Sequence, residues 1–436
     1  MLVPRTSSGA LAWTLACNTV AMAHAWAPAL TRLLALPGGS CLLRRPPALA
    51  AASRRCVSLP RLHAAASEEE VRARTAANLA PSYLVQALLS WTPRKPAPCA
   101  AVPPVPVLFH TGYGYEEWET SHRFVMSKFH GVMKQIRTLE ASRPQLRDSF
   151  RVVSDFEPIA RSLVERVHSS TYVEAFCSGT LDSKALRKIG LPWSRNLVRR
   201  TLLECEGTRL AALLALQEGL ACNTGGGTHH AFASHGSGFT IFNDLAVTAQ
   251  WLIDTEALGV KQVLILDLDV HQGDGTAAIF AEQREVYTVS MHCESNFPFQ
   301  KQVSDLDISL PDGTADKEYL QEVARRLPRI LEDVRPDLVL YDAGVDVHQE
   351  DVLGKLALTD QGIFDRDYYV LRACAAFGVP VATVVGGGYD KNHELLAWRH
   401  SIVFQAAAAA RAWGHTPPPP PGAPRDRSHQ DVQDAG

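Results

Sequence analysis

One continuous apolar run, Gln262-Val-Leu-Ile-Leu266, is followed at once by a cluster of carboxylates and a histidine. Such a run predicts a strand buried on both faces of a parallel sheet, because a half-exposed strand would alternate apolar and polar residues. Strand alternation then puts Asp267, Asp269 and His271 on one side of the chain, and Asp274 follows shortly after. Carboxylates at the end of a buried strand need a cation to balance their charge, so the segment predicts a metal site.

The type of this metal site follows from its ligands. An oxygen-rich set with one imidazole suits Zn²⁺, or Fe²⁺, in an open catalytic site better than a structural zinc site, which would use thiolates. A second interpretation is a strand end whose aspartates cap the next helix by accepting its N–H groups, as an isolated pair of aspartates more often does. The other strand ends of the chain favour the metal site.

Three further apolar runs also end in polar residues, and helical stretches at 317–331 and 365–377 separate them. Strands that alternate with helices predict a parallel sheet with right-handed crossovers, in which ligands bind at the carboxyl ends of the strands. We therefore expect an α/β fold: a single domain with a central, mostly parallel sheet flanked by helices, and an active site at those ends. Asp346, at one of them, becomes the third protein ligand, since a catalytic zinc keeps three ligands and an open position.

An adjacent pair of histidines, His229 and His230, follows three glycines. This arrangement predicts a backbone drawn close to a neighbouring group, with two imidazoles delivered to one place. A lone His-His pair is more often incidental, but several independent motifs agree here, including Tyr389 after a second run of three glycines. A helix predicted over about 206–221 carries no such signal and indicates plain packing.

These residues together resemble the zinc-dependent histone deacetylase family, over roughly residues 105–413. The motifs that carry the resemblance are His122-Arg123-Phe124, the stretches 167–172 and 191–194, Gly-Gly-Thr-His229-His230, Asn243-Asp244, the Asp-rich strand end, Gly344-Val-Asp346 and Gly-Gly-Gly-Tyr389. Within the family, the stretches 341–346 and 351–354 look most like the class IV branch and its bacterial relatives. The resemblance implies the arginase/deacetylase-like fold.

The resemblance also implies a role for each matching residue. The zinc ligands would be Asp269, His271 and Asp346. The catalytic residues would be His229, His230, Asp267, Asp274 and Tyr389. The walls of the acyl-lysine tunnel would include Gly238, Phe239 and Phe297. A structural monovalent cation, usually potassium, would lie beside Asp267 and Ser290.

Amide hydrolysis gives a chemical reason for the same roles. An amide is a poor electrophile, so a Lewis acid must polarise its carbonyl and lower the pKa of a bound water towards about 7. His230, oriented by Asp274, can take that water's proton and then protonate the departing amine. His229 beside Asp267 can stay cationic as an electrostatic partner, and Tyr389 can donate to the developing oxyanion.

Composition limits the function classes. A chain of 436 residues with 46% hydrophobic residues can bury one large core, and a net charge of −3 offers no basic footprint for direct nucleic-acid binding. We expect a protein or histone lysine deacetylase whose partners are acetylated lysine side chains. The alternatives are a deacylase of longer acyl-lysines or of small acetylated amines, and a non-catalytic acyl-lysine-binding module, which is expected to lose His230 or Tyr389. This chain retains both.

The first 67 residues contain seven arginines but no Asp, Glu or Lys, which is an organelle-targeting composition. An apolar stretch at 10–25 suits a signal-peptide core, with Ala23-His-Ala25 as a small-residue cleavage site. The aromatic Trp26 directly after that site, followed by an Arg-rich stretch, resembles the bipartite leaders of algae with secondary plastids. A plastid is therefore the expected location, a mitochondrion is the alternative, and the nucleus or cytosol comes after both. The apolar stretch is too short and interrupted to predict stable membrane insertion.

The remaining organisation follows from composition. Residues 68–104 form a Pro-rich linker after the leader at 1–67, residues 105–413 form the deacetylase-like catalytic domain, and residues 414–436 form a disordered Pro-rich tail.

Overall fold

The computed structural model describes residues 74, 79–82, 102–115, 118 and 122–413. The predicted leader and the predicted tail lie outside the described residues, as does most of the predicted linker. None of the described helices is long and apolar enough to span a membrane.

Eight strands form one sheet in the described part of the chain, and each neighbouring pair in it is parallel. The strands are β1 (Val105–Leu108), β2 (Phe150–Val153), β3 (Leu220–Asn223), β4 (Val263–Asp267), β5 (Val286–Cys293), β6 (Leu306–Leu310), β7 (Leu338–Asp342) and β8 (Val381–Val384). Their order across the sheet is β2-β1-β3-β8-β7-β4-β5-β6. The predicted α/β fold is confirmed.

Helices flank this sheet. Those within the described residues are α1 (Lys128–Ser142), α2 (Arg161–Val164), α3 (Ser170–Ser178), α4 (Ser183–Ile189), α5 (Arg195–Glu218), α6 (Asp244–Asp254), α7 (Asp274–Phe280), α8 (Asp316–Val334), α9 (Asp360–Phe377), α10 (His393–His400) and α11 (Ile402–Trp413). Short 3₁₀ turns occur at Thr111–Tyr113, Pro144–Leu146 and Glu256–Leu258.

The apolar core covers both faces of the sheet. In β4, Val263 and Ile265 pack into one hydrophobic cluster, while Leu264 and Leu266 pack into another on the opposite face. Each such side chain contributes about 1.5–3 kcal/mol when it is fully buried. Burial on both faces is the reason why β4 is a continuous apolar run in the sequence.

The strand order changes direction at β4. From β4 the chain moves outwards to β5 and β6 at one edge, and it then returns to β7 on the other side of β4. A reversal of this kind leaves a crevice outside the carboxyl ends of the two strands between which it occurs. Asp269 follows β4 and Asp346 follows β7, so both lie at this crevice.

Some element boundaries differ from those predicted. The helix expected over about 206–221 is α5, which begins after the Ser194 cap and ends at Gly219, whose φ is +83°. The left-handed conformation at Gly219 stops the helix, and the apolar residues that follow pair with β1 and β8 as β3. The predicted C-terminal end was wrong because a strand with a buried apolar sequence looks like the end of a buried helix.

Two predicted strand ends also shift. The strand β4 stops at Asp267, so Asp269 and His271 lie in the turn beyond it and not in the strand. The strand β5 continues through Ser290 to Cys293, so the polar residues expected after that strand lie within it. Strand alternation alone therefore does not explain how Asp269 and His271 come together.

Two described parts of the predicted linker contact the domain. The Arg74 guanidinium donates to both carboxylate oxygens of Glu350 at 2.7 Å, and the Ser82 N–H donates to Asp365 in α9 at 3.1 Å. The start of the catalytic domain at residue 105 stays a prediction.

Candidate active site

Three side chains that follow β4 and β7 form a buried cluster. Potential ligand atoms of Asp269, His271 and Asp346 all lie within 4.8 Å of one another. The Nδ1 of His271 is 3.1 Å from an oxygen of Asp269 and 3.1 Å from an oxygen of Asp346. The structure thus brings together the three residues expected to bind a metal.

Backbone N–H groups hold the two carboxylates in place. The His271 N–H donates to Asp269 at 2.9 Å, and the Val270 N–H donates to Asp346 at 2.9 Å. The Gly387 N–H donates to the other oxygen of Asp269 at 2.7 Å, and a Cβ at Gly387 would collide with both carboxylates. Two carboxylates and one imidazole fixed around one point are a donor set that fits a divalent ion.

The loop after β3 delivers the histidine pair. Gly226 and Gly227 have φ values of +87° and +88°, which other residues rarely adopt. The carboxylate of Asp244, at the start of α6, accepts hydrogen bonds from the N–H groups of Gly227 and Thr228. The two glycines thus let the chain turn, and Asp244 fixes the turn just before the histidines.

His229 is surrounded by carboxylates. Its Nδ1 donates to Asp267 at 2.7 Å and lies 3.8 Å from Asp342, and its Nε2 lies 3.9 Å from Asp269. Burial alone lowers the pKa of His229, but the charges of Asp267 and Asp269 outweigh burial and hold it well above its usual value. The surroundings therefore favour a cationic ring.

His230 has a single carboxylate partner. Its Nδ1 donates to Asp274 at 2.6 Å, and its ring centroid lies 4.2 Å from that of His229. Burial and the charge on His229 lower the pKa of His230 to about 4, against the opposing effect of Asp274. His230 is therefore neutral near pH 7 and able to accept a proton.

Tyr389 follows the second glycine run and faces the same point. Its ring centroid is 6.3 Å from that of His271 and 6.0 Å from that of Phe239. Its N–H donates to Asp351 at 2.7 Å, and its carbonyl accepts from Val352 at 3.1 Å. These two hydrogen bonds fix the backbone at Tyr389 directly after the glycines. Burial and then the Asp346 charge raise the pKa of the hydroxyl well above 10, so it remains a donor.

One cleft of about 900 Å³ opens onto these groups. The predicted tunnel residues Gly238, Phe239 and Phe297 line it together with His230 and Tyr389. The ring of Phe297 meets the His230 ring edge-on at 4.9 Å between centroids. Aromatic walls beside the approach to the cluster are suited to the aliphatic stem of a side chain.

A second, much smaller cavity of about 30 Å³ lies on the inner side of the site. Phe124, Lys128 and Phe129 line it, together with Asp269 and Tyr389. Its volume is enough for one or two water molecules.

The predicted potassium residues lie side by side. Asp267 in β4 and Ser290 in β5 occupy the same register position in the parallel pair. The Ser290 hydroxyl is 2.9 Å from Nδ1 of His292, and the Asp267 side chain bonds to His229.

Sequence reasoning missed roles for three buried charged residues near the site. Asp342 ends β7 beside His229, and within the described residues neither of its carboxylate oxygens has a hydrogen-bond partner. Asp351 holds the backbone of Tyr389, as described above. The Lys128 ammonium donates to the Gly386 carbonyl at 3.4 Å. Asp342 had a sequence signal, since it ends an apolar strand as Asp267 does. Lys128 had none.

Comparison with known proteins identifies the family to which this site belongs. A model of the histone deacetylase domain matches residues 122–404. The chain belongs to the histone deacetylase family. An uncharacterised protein of Picosynechococcus sp. is 51% identical over 309 residues, which are 69% of this chain and 98% of that protein. Histone deacetylase 2 of Arabidopsis thaliana is 31% identical over 247 residues, which are 54% of this chain and 63% of that protein.

A solved structure agrees at the level of the fold. The HDA15 HD domain matches with a TM-score of 0.56 at 21% identity, over 69% of this chain and 90% of that domain. Deacetylases of this family are hydrolases that act on acetylated lysine and use a metal ion, and the described residues include groups able to hold one. The predicted family membership is confirmed.

Proposed function

We propose that this chain is a zinc-dependent protein lysine deacetylase. The observation that carries the proposal is the meeting, at the end of one cleft, of the Asp269, His271 and Asp346 cluster with two carboxylate-paired histidines. The donor set suits Zn²⁺, and it also accepts Fe²⁺. When bound, such an ion lowers the pKa of a water towards about 7 and polarises an amide carbonyl.

The residues of the chain supply the proton transfers. His230, neutral and held by Asp274, takes a proton from the attacking water and returns it to the departing lysine amine, so the products are acetate and free lysine. His229, kept cationic by its surrounding carboxylates, stabilises the negative charge that develops. The Tyr389 hydroxyl donates to the oxyanion from the side of the cleft.

The small inner cavity supports acetyl as the acyl group. The cleft leads an acyl-lysine towards the metal cluster, so the part of the acyl group beyond its carbonyl points to the small cavity. Phe124 and Phe129 line this cavity beside the buried charged side chains of Lys128, Arg200 and Glu204. A cavity of about 30 Å³ accommodates a methyl group far more readily than a long alkyl chain. Longer acyl-lysines therefore remain the second candidate.

A non-catalytic acyl-lysine-binding module is the alternative from another functional class. A module of this kind has no need for a general base. This chain has such a base, because His230 is held by Asp274 at 2.6 Å and its lowered pKa leaves it able to accept a proton. That favours catalysis over binding alone.

The direct test uses the purified chain and three substrates: an acetyl-lysine peptide, the same peptide with a long-chain acyl group, and an acetylated polyamine. We expect released acetate and free lysine from the first, at a kcat/KM well above those for the other two. Binding of the acetyl peptide without any product would support the binding module instead.

Three finer expectations belong to the same proposal. The class IV subfamily and the potassium ion at Asp267 and Ser290 remain predictions. Plastid targeting by residues 1–67 is also proposed, on the arginine-rich, acid-free composition and on the apolar stretch at 10–25 with Trp26 after its cleavage site. A fluorescent reporter behind residues 1–67 should enter a plastid, whereas a matched leader with all seven arginines replaced by glutamine should not. A reporter that accumulates in the mitochondrion, the nucleus or the cytosol would reject plastid targeting.

A further inference from the structure

Four basic side chains line the mouth of the 900 Å³ cleft, and all four are exposed: Arg123, Arg187, Lys188 and Lys355. The one carboxylate among the described lining residues is Asp274, which is buried against His230. The whole chain carries a net charge of −3, so the positive charge at the mouth is a local feature and not a property of the protein surface in general.

The neighbours of these cations leave the mouth positive. The Lys188 ammonium is 2.6 Å from Nε2 of His235, a ring nitrogen that has no negative charge to offset the charge of the ammonium. The Lys355 ammonium donates to the Ser295 hydroxyl at 2.8 Å, and one carboxylate oxygen of Asp312 is 3.9 Å away. Asp312 offsets part of one charge, so a positive surplus remains among the described residues at the mouth.

An exposed aromatic ring adds a non-specific contact at the same place. Phe299 also lines the cleft and is 91% exposed. Burial of such a ring contributes to binding whatever the charge of the substrate. Discrimination between substrates of similar shape must therefore come from the charges around it.

The acetyl-lysine side chain is itself neutral, so the mouth can only distinguish substrates by the residues that flank it. We propose that the mouth lined by Arg123, Arg187, Lys188 and Lys355 selects acetyl-lysines with acidic neighbours, and disfavours lysine- and arginine-rich segments and cationic acetylated amines. This inference rests on the proposed deacetylase function and names its substrate class.

The expected size of the effect follows from the exposure of the charges. Exposed ion pairs contribute about 1.4- to 5-fold each at low salt, so two acidic neighbours change kcat/KM by about 2- to 25-fold. Screening should reduce the effect as the ionic strength rises, because the Debye length shrinks to about 8 Å at physiological salt.

The test compares three acetyl-lysine peptides that differ only at two flanking positions, which hold glutamate, glutamine or lysine. With the full chain at low salt, we expect kcat/KM to decrease from the glutamate to the glutamine to the lysine peptide, with a ratio of at least about 5-fold between the extremes. That ratio should fall towards 1 in high salt. Equal kcat/KM values for the three peptides, or the reverse order, would overturn the inference.

Two variants of Lys355 locate the effect, and a third is the matched control. Lys355→Gln should reduce the glutamate-to-lysine ratio, and Lys355→Glu should reduce it further. Lys261→Glu makes the same charge change on an exposed lysine just before β4, at the amino ends of the strands and away from the cleft. It should leave the ratio unchanged. A ratio that responds equally to Lys261→Glu, or that ignores both Lys355 variants, contradicts the proposed mouth.

The glutamine peptide distinguishes a failure of the charge selection from a failure of the proposed deacetylase function. Its rate in each variant reports the remaining folded enzyme and its chemistry, independent of flanking charge. Hydrolysis of the glutamine peptide with no preference between the other two would reject the charge selection alone. No hydrolysis of any of the three would reject the deacetylase proposal.

Discussion

The histidines at positions 229 and 230 are neighbours in sequence, and each donates from Nδ1 to an aspartate at 2.6–2.7 Å, yet their surroundings are opposite. His229 has two further carboxylates within 4 Å, whereas His230 faces the aromatic ring of Phe297 and the cleft. The pKa of His229 is held above its usual value and that of His230 is lowered to about 4.

The difference shows that the bonded partner does not decide the role of a histidine. Both rings have the same partner type, so the charges beyond it and the burial of the ring set the protonation state. The account of catalysis given above depends on this difference, since it makes one histidine a cation and the other a base. The following experiments are designed to break or sharpen it.

The largest expected effect comes from Asp269, which faces both the metal cluster and His229. Asp269→Ala should remove bound metal and essentially all activity, because it deletes a ligand from a three-ligand site. Metal content by mass spectrometry and product release measure both. The control is Asp337→Ala, which replaces an exposed aspartate just before β7, at the amino ends of the strands. This variant should keep its metal. A full equivalent of zinc in Asp269→Ala would refute the ligand assignment.

The next effect separates the two histidines directly. His230→Ala should keep its metal and lose about 10²- to 10⁴-fold in kcat, the usual contribution of a positioned general acid or base. The measurement is kcat on the acetyl-lysine peptide beside zinc content. Near wild-type turnover, with a large loss in His229→Ala instead, would exchange the two roles.

Tyr389→Phe should lower kcat by about 10²- to 10³-fold with little change in KM, because the hydroxyl donates to charge that exists only as the transition state forms. The ring that packs near Phe239 is retained, so the variant tests the hydroxyl alone. If KM rises while kcat is unchanged, Tyr389 is a binding residue, and the cationic His229 would carry the oxyanion stabilisation by itself.

The smallest effect is on stability, and it has opposite signs at the two rings. His230 has a lowered pKa when folded, so the unfolded chain binds more protons between about pH 6.5 and pH 4, and the free energy of unfolding falls as the pH drops through that window. The His230 contribution is at most about 3 kcal/mol. His229 has a raised pKa, so its contribution is present at low pH and is lost as the pH rises through the folded value.

Urea unfolding at pH 5 and pH 6.5 measures this comparison. His230→Gln should remove the part of the pH dependence that destabilises the folded chain between pH 6.5 and pH 5. His229→Gln should reduce that part less, because burial, the larger cause of the low His230 pKa, remains. The same reduction in both variants would mean that the two rings have similar pKa values.

Periodicity and spacing were enough to predict the parallel sheet and the polar strand ends that carry Asp269, His271 and Asp346, because a strand buried on both faces and polar residues at its end are local patterns. The position of β7 beside β4 was not local. It depends on how the chain returns from the edge strand β6, for which no sequence pattern was found. The crevice between these strands therefore had to be seen in the structure.

The residues that were missed act through contacts that are distant in sequence. Asp351 bonds to the Tyr389 N–H across 38 positions, and Asp342 approaches His229 across a larger separation. The basic mouth is also assembled from separate segments, since Arg187 lies in α4 and Lys355 follows the Asp346 loop. Each of these residues looks like an ordinary surface or strand-end charge in the sequence alone.

The most direct test of the account is the position of the metal. Two clusters within the described residues can hold an ion: Asp269 with His271 and Asp346, and His229 with Asp267 and Asp342. Anomalous diffraction at the zinc edge from crystals of the zinc-loaded chain should give its peak at the first cluster, which leaves His229 as a protonated partner. A peak at the second would make His229 a ligand, and a ligand cannot be the cation on which the comparison of the two histidines depends.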